Sequence, residues 1–185
     1  MFTHNFDPVL IDLYIVEVRW YSLAYIFGIL IGWIYAKRII KHLKTNSSLN
    51  DLKTKDFDDF IPYLVIGIIL GGRLGYVLIY NFDYYIRNLH EIFYIWEGGM
   101  SFHGGLLGII LATITFTRIR KIYTFIYLDI ISCVAPIGLF LGRISNFING
   151  ELYGKATNLP WGVIFPSVGN FARHPSQIYE AILEG

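Results

Sequence analysis

Charged residues are scarce in this chain: they make up 16% of its 185 residues, whereas about a quarter is usual for a soluble domain. Hydrophobic residues account for 55% and the mean hydropathy is +0.50. An apolar excess of this size needs an apolar solvent, which a lipid bilayer provides. The sequence therefore predicts an integral membrane protein, and its net charge of +1 gives no field that would attract nucleic acid.

Cysteine is almost absent, because Cys133 is the only one in the chain. A single cysteine excludes an internal disulfide and a thiolate metal cluster, and Cys133 lies in an apolar run where it suits packing. Several enzyme signatures are missing too: Gly-x-Ser-x-Gly, His-Glu-x-x-His and the paired aspartates of lipid headgroup transferases do not occur. These absences exclude the corresponding classes of hydrolase, metalloprotease and headgroup transferase.

Long apolar runs are present, and four of them approach or reach the roughly 20 residues that cross a bilayer. The predicted transmembrane helices lie at about 20–40, 61–80, 100–117 and 123–143. A further apolar run begins near Gln177 and covers only about two helical turns before Gly185, so we expect more helices to follow.

The predicted fold class is an all-α polytopic membrane protein with three parts. A transmembrane helical body covers residues 1–146, and a small irregular extracytoplasmic head covers residues 147–175, where Gly, Pro and Asn are frequent. The start of a fifth transmembrane helix covers residues 176–185.

Basic residues are unevenly distributed between the predicted loops. Nine fall in residues 37–59 and 118–122, whereas the segments before the first helix and between the second and third contain only Arg19 and Arg87. Because basic loops remain in the cytoplasm, the N-terminus and the head are predicted to face outward. Residues 1–19 lack the basic and apolar regions of a signal peptide, so we expect the first helix to remain in the mature protein.

Arg73 interrupts the second apolar run, within Gly71–Tyr76. An arginine at the centre of a membrane helix costs at least about 2.5–3.5 kcal/mol, so it needs a partner or a ligand. Two interpretations stay open: Arg73 pairs with Asp129 or with carbonyl groups at a helix end, or it contacts a bound anion.

His103 lies between two glycine pairs, Gly98-Gly99 and Gly104-Gly105, at the outer entry of the third helix. Glycines leave the imidazole uncovered, and histidine takes up and returns a proton near neutral pH. The amides of Gly104 and Gly105 open a helix and are predicted to offer an anion site. The alternative is a histidine with a purely structural role.

A polar run follows the fourth helix and contains Arg143, Asn146, Asn149 and Glu151. Arginine suits phosphate because its planar fork of donors matches phosphate geometry. The structural alternative is a helix-ending turn with Gly150 in a left-handed conformation. These residues predict an outward-facing cavity for an anionic lipid headgroup. A transporter or binding protein for an anionic lipid or small anion fits equally well, and a membrane scaffold without catalysis is a third possibility.

The run Gly142–Gly154 resembles the signature GR-x-x-NF-x-N-x-E-x-x-G of the prolipoprotein diacylglyceryl transferases, with all seven fixed positions present. Four further segments agree with that family in the same order: Arg19–Tyr21, Gly71–Phe82, Gly98–Gly105 and Arg173–Glu180. Two departures are small: Ser145 stands where the family usually has Gly or Ala, and Ser22 where Gly is common.

The resemblance implies an activity in the bacterial cytoplasmic (inner) membrane, with the site towards the outer leaflet. The sn-1,2-diacylglyceryl group of phosphatidylglycerol moves to the lipobox cysteine of a preprolipoprotein signal peptide, and glycerol-1-phosphate leaves. Membrane lipids surround the site, and neither a metal nor a soluble cofactor takes part. The family has further helices and a second essential arginine beyond residue 185, so these 185 residues alone are expected to be inactive.

The resemblance also implies roles for individual residues. His103 is expected to be the base, Arg143 the clamp on the headgroup and leaving group, and Tyr21 a further catalytic group. The residues expected to bind phosphatidylglycerol, besides Arg143, are Arg73, Gly104, Asn146, Asn149, Glu151 and Gly154.

Overall fold

The computed structural model describes residues 2–12, 14, 17–46 and 53–185. Within these residues, four helices are long and apolar enough to cross a membrane: Trp20–Lys44, Thr54–Tyr80, Phe102–Arg120 and Thr124–Ile148. The predicted all-α polytopic fold with four such helices is confirmed, and the chain is a multi-pass membrane protein. Residues 47–52 of the predicted cytoplasmic loop 37–59 lie outside the described residues.

The regular elements follow one another along the chain with short connections. The helices are α1 Trp20–Asn46, α2 Thr54–Gly75, α3 Phe82–Tyr85, α4 Phe102–Arg120, α5 Thr124–Ile148 and α6 Ser176–Glu184. A π-helical turn, Tyr76–Tyr80, continues α2, and two 3₁₀ helices, Leu89–Phe93 and Ile95–Glu97, precede α4. The strands are β1 Phe2–Thr3, β2 Val9–Asp12, β3 Glu17–Arg19, β4 Val163–Ile164 and β5 Ala172–Arg173.

Helix α2 begins at Thr54, seven residues before the start expected at residue 61. Its first turns are polar, which is why the sequence predicts a loop there. The structure buries Phe57 and Phe60, at 2% and 0% exposure, while Asp59 on the same turns accepts a hydrogen bond from Arg120 at 2.6 Å. This amphipathic first part of α2 therefore packs as a helix, with Phe57 and Phe60 against the rings of Phe116 and Tyr127.

Contacts between Cα atoms divide the chain into two compact units. Residues 1–36 and 132–185 form unit 1, and residues 37–131 form unit 2. The division differs from the predicted body and head, which therefore stay a prediction.

Unit 1 contains two small sheets near its extramembrane elements. Strand β1 pairs in parallel with β4, and β4 pairs antiparallel with β5; β2 and β3 form a second, antiparallel pair. The N-terminal segment is held further by His4, whose Nε2 donates a hydrogen bond to the carbonyl oxygen of Phe147 at 2.7 Å. The first residues of the chain thus support the end of α5.

In unit 2, helices α2 and α4 pack closely through facing glycines. Gly67, Gly71 and Gly75 recur every four residues on one helix, and Gly104 and Gly108 do so on the other. A Cβ atom added at Gly67 would lie 2.6 Å from the Gly108 carbonyl oxygen, and one at Gly75 would lie 2.7 Å from the Gly104 Cα. The two backbones therefore touch, which small residues permit in membrane helices. This contact fixes the height of the α4 N-terminus against the end of α2.

Candidate functional site

Helix α5 ends in a hydrogen-bonded reversal that brings the polar run together. The amide of Glu151 donates to the carbonyl oxygen of Asn146 at 3.0 Å, and that of Gly150 to Phe147 at 3.0 Å. Gly150 has φ +66°, the left-handed conformation that such a helix end requires. The turn expected as the structural alternative is present, and it also folds the Glu151 side chain back towards the last turn of α5.

Asn146 lies at the centre of a small polar network and is only 5% exposed. Its Nδ2 donates one hydrogen bond to Glu151 Oε1 at 2.9 Å and another to the hydroxyl oxygen of Tyr21 at 3.3 Å. The Nδ2 of Asn149 also approaches Glu151 Oε1, at 3.4 Å. Two asparagines therefore converge on the Glu151 carboxylate, and Asn146 links that carboxylate to Tyr21 on α1.

Gln177 extends this network from α6, and sequence reasoning did not assign it a role. The side chain is 0% exposed, and its Nε2 donates to the main-chain oxygen of Glu151 at 2.5 Å. Within the described ranges, Gln177 Oε1 and Asn149 Oδ1 are buried acceptors that no protein group bonds. Exchanging the oxygen and nitrogen of either amide does not help. The amide oxygen would then face an oxygen of Glu151, so it would still lack a donor.

Arg143 lies one turn before Asn146 on α5, so the two side chains share a face of the helix. Its Nη2 lies 2.8 Å from Glu180 Oε2 and 3.6 Å from Glu184 Oε2 on α6. The sequence indicates this contact through the spacing of the two glutamates. Glu180 and Glu184 are four residues apart, so their side chains project from the same face of α6. In the described part of the chain Nε and Nη1 of Arg143 have no carboxylate partner, so two of the three guanidinium nitrogens can donate to another anion.

Gly154 is held against the backbone of His174. Its amide donates to the His174 carbonyl oxygen at 2.9 Å, and its own carbonyl oxygen accepts from Arg173 at 3.2 Å. An added Cβ would lie 2.8 Å from the His174 Cβ and 2.9 Å from its carbonyl oxygen. These contacts explain glycine at this position by packing, so binding of phosphatidylglycerol by Gly154 stays a prediction.

Arg73 belongs to unit 2 and is 3% exposed. Its guanidinium donates to four carbonyl oxygens in the segment before α4: Glu91 at 2.6 Å, Ile92 at 2.8 Å, Gly98 at 2.5 Å and Gly99 at 3.3 Å. Among the described residues it forms no ion pair with Asp129. The geometry favours the carbonyl alternative over the anion contact, because four of the five N–H donors of the side chain are already used.

His103 and Gly104 occupy the first turn of α4. The His103 side chain is exposed, as expected for an uncovered imidazole, and it contacts the ring of Phe102. The amide of Gly104 donates to Ser101 Oγ at 3.1 Å and that of Gly105 to Ser101 O at 2.9 Å. Both amides therefore have partners within the first turn of α4, and Gly104 packs on α2. Binding of an anion by Gly104 stays a prediction.

The predicted site residues thus form two groups. Tyr21, Arg143, Asn146, Asn149, Glu151 and Gly154 belong to unit 1, and Arg73, His103 and Gly104 belong to unit 2. No group of three or more His, Cys, Asp or Glu side chains that could hold a metal ion occurs in the ranges that the structure describes. Unit 1 therefore supplies an arginine beside an amide–carboxylate network in which Asn149 Oδ1 and Gln177 Oε1 have no donor among the described residues. Unit 2 supplies an exposed imidazole at the start of a helix that packs on α2.

Comparison with known proteins gives the same family over nearly the whole chain. The profile of the prolipoprotein diacylglyceryl transferase family matches residues 8–185. The phosphatidylglycerol–prolipoprotein diacylglyceryl transferase of Rhodopseudomonas palustris is 51% identical over 182 residues, which are 97% of this chain and 64% of that protein.

Two further relatives carry the same name. The protein of Nitrobacter hamburgensis is 52% identical over 97% of this chain and 62% of its own length, and that of Rickettsia felis is 52% identical over 98% and 68%. This chain therefore spans a little under two thirds of the length of the Rhodopseudomonas and Nitrobacter proteins.

Proposed function

The chain belongs to the prolipoprotein diacylglyceryl transferase family, and from that premise we propose that the protein transfers the sn-1,2-diacylglyceryl group of phosphatidylglycerol to a prolipoprotein. The acceptor is the cysteine thiol of the lipobox in the signal peptide, and glycerol-1-phosphate is released. The observation that carries this proposal is the reversal at the end of α5 within the Gly142–Gly154 run, where Asn146 donates to both Glu151 and Tyr21 and Arg143 lies one helical turn away.

The proposed reaction is a single displacement at carbon. The cysteine thiol loses its proton to a base, the sulfur forms a bond to the glyceryl carbon, and the bond from that carbon to the phosphate oxygen breaks. A thiol ionises near pH 8.5 and attacks as the thiolate, so a base at neutral pH increases the reactive fraction. His103 has the chemistry for this step because its imidazole is exposed and histidine is the side chain best suited to proton transfer near neutral pH.

Arg143 is suited to the leaving group. The phosphodiester becomes a monoester as the carbon–oxygen bond breaks, so negative charge grows on the phosphate oxygens, and donors aimed at that charge stabilise the transition state. The open Nε and Nη1 of Arg143 supply such donors, while Glu180 and Glu184 hold the other nitrogen. The carboxylates thereby orient the fork before the lipid binds.

The two orphaned acceptors suit the headgroup itself. The headgroup glycerol of phosphatidylglycerol has two free hydroxyls that can donate, and a buried acceptor without a donor destabilises a protein. We assign Asn149 Oδ1 and Gln177 Oε1 as acceptors for those hydroxyls, because both side chains are already anchored to Glu151 through their nitrogens.

A product measurement tests the proposed function against transport. Intact protein in phosphatidylglycerol vesicles is expected to release glycerol-1-phosphate only when a peptide with a lipobox cysteine is added. A transporter or a lipid-binding scaffold changes no covalent bond, so release that is absent with the peptide present would contradict the proposal.

The proposed orientation has the N-terminus outside, residues 37–59 and 118–122 in the cytoplasm, and the site towards the outer leaflet. It rests on the excess of basic residues in the two cytoplasmic loops. With Cys133→Ala as the background, Asn88→Cys is expected to react with an impermeant thiol reagent in intact cells, and Lys44→Cys only after the membrane is opened. Labelling of Lys44→Cys in intact cells would contradict this orientation and place residues 37–59 outside.

A further inference from the structure

We propose that Arg73 is a positioning residue, which holds the first turn of α4 so that the His103 imidazole meets the substrate thiol in one fixed place. The inference rests on the proposed function, because it gives His103 the role of base. It differs from the expectation that Arg73 binds phosphatidylglycerol, since it assigns the guanidinium to the protein's own main chain.

The side-chain hydrogen bonds that the structure gives Arg73 all reach the segment that leads into α4. Its guanidinium joins the carbonyl oxygens of Glu91 and Ile92 to those of Gly98 and Gly99. One buried side chain thus ties together both ends of the nine-residue segment Glu91–Gly99. The ring of Tyr85 covers the guanidinium at 5.1 Å, which keeps the charge in contact with a favourable aromatic face.

The glycines held by Arg73 have little intrinsic preference for the conformation that they adopt. Gly98 and Gly99 have φ +88° and +80°, a conformation that glycine adopts freely and therefore does not fix. The carbonyl oxygens of these two residues face one guanidinium nitrogen, so their peptide planes are held by Arg73 rather than by regular secondary structure. Position 99 also lies against Tyr76, because an added Cβ there would be 2.5 Å from the ring.

A second set of bonds carries this order to the first turn of α4. The amide of Ser101 donates to the carbonyl oxygen of Gly72 at 2.9 Å, directly beside Arg73 on α2. Ser101 is 4% exposed, and its Oγ caps α4 by accepting from Gly104 at 3.1 Å. His103 lies between these two residues, so its backbone position follows from the contacts of α2 while its side chain stays exposed.

Lysine cannot replace Arg73 in this arrangement. The carbonyl oxygens lie around the guanidinium in several directions, and they engage three different nitrogens. A lysine ammonium is one point charge with three donors on a flexible stem, so it leaves part of the segment unheld. The charge remains, and only the geometry is lost.

The test compares Arg73→Lys with the same change at Arg87, an exposed arginine of the same unit. Turnover per inserted molecule is measured as glycerol-1-phosphate released by intact protein in vesicles. Arg73→Lys is expected to lower kcat at least about tenfold with KM for phosphatidylglycerol within about twofold, because a misplaced catalytic group costs rate rather than substrate binding. Arg87→Lys is expected to behave as wild type.

A double-mutant cycle shows whether Arg73 acts through His103. In the His103→Gln background, adding Arg73→Lys is expected to change turnover by less than about twofold, since residues that act as one unit are not additive. If Arg73 contacts the lipid directly, KM rises and the two losses multiply. Either that result, or an Arg73→Lys protein that keeps wild-type kcat, overturns the inference.

Ser101→Ala keeps the test decisive if Arg73→Lys does not insert. It removes the α4 cap and leaves Arg73 in place, and the same fall in kcat with unchanged KM is expected; wild-type kcat in this variant contradicts the inference. Failure of the proposed function has a different signature, because wild-type protein then releases no glycerol-1-phosphate with the lipobox peptide.

Discussion

Replacing His103 by glutamine is expected to slow diacylglyceryl transfer by at least about a hundredfold, because general-base help is typically worth about 10²–10⁴ in rate. Glutamine keeps a similar size and a hydrogen-bonding end group, but it cannot take up a proton near neutral pH. The side chain is exposed on the first turn of α4, so the variant is expected to fold and insert normally. Binding of phosphatidylglycerol is expected to change little, since Arg143 remains.

The measurement is the amount of inserted protein together with the glycerol-1-phosphate released per inserted molecule. His90→Gln is the matched control, because His90 is also an exposed histidine of unit 2, with its side chain 68% exposed. If His103 is only structural, less protein inserts and the turnover of what does insert is preserved. Wild-type turnover in His103→Gln would remove histidine from the mechanism and move the base role to Tyr21, Glu151 or the substrate.

Arg143→Lys is expected to lose at least about nine tenths of the activity although the positive charge remains. A hydrogen bond to a charged group contributes about 1.5–3 kcal/mol, and each 1.4 kcal/mol is tenfold in rate. Lysine can keep the ion pair with Glu180, which Arg143 makes through one nitrogen at 2.8 Å. It cannot also donate to a phosphate from further nitrogens, as Nε and Nη1 of Arg143 can.

The control is Arg19→Lys, because Arg19 is an arginine of unit 1 with an exposed carboxylate partner, Glu17 at 2.7 Å. Exposed ion pairs of this kind contribute little, so wild-type turnover is expected for the control. Near-normal turnover of Arg143→Lys would make a role for the separate guanidinium donors untenable and leave only a general electrostatic one. A loss of inserted protein without a loss of turnover per inserted molecule would show that Arg143 contributes only to folding.

The transmembrane helices could be predicted from the sequence because each is a long apolar run, and the bilayer leaves the backbone no alternative to internal hydrogen bonds. The helix ends were harder. Helix α2 starts early because Phe57 and Phe60 are buried on one face of a polar stretch, and hydropathy averages this pattern away.

Part of the site follows from local sequence and part does not. The turn at Gly150 is encoded within a few residues, so the meeting of Asn146 with Glu151 could be anticipated. The bonds from Arg73 reach carbonyl groups 18 to 26 residues away. Main-chain oxygens carry no signature in the sequence, so an arginine that binds them looks the same as one that binds an anion.

The central claim, transfer of a diacylglyceryl group to cysteine, is tested most directly by the mass of the acceptor peptide. Intact protein is incubated with phosphatidylglycerol and a synthetic signal peptide that contains the lipobox cysteine, beside a matched peptide in which serine replaces that cysteine. The account predicts that the cysteine peptide gains one diacylglyceryl group in thioether linkage, with one glycerol-1-phosphate released for each, and that the serine peptide gains nothing. An unchanged cysteine peptide, or equal modification of the serine peptide, would contradict it.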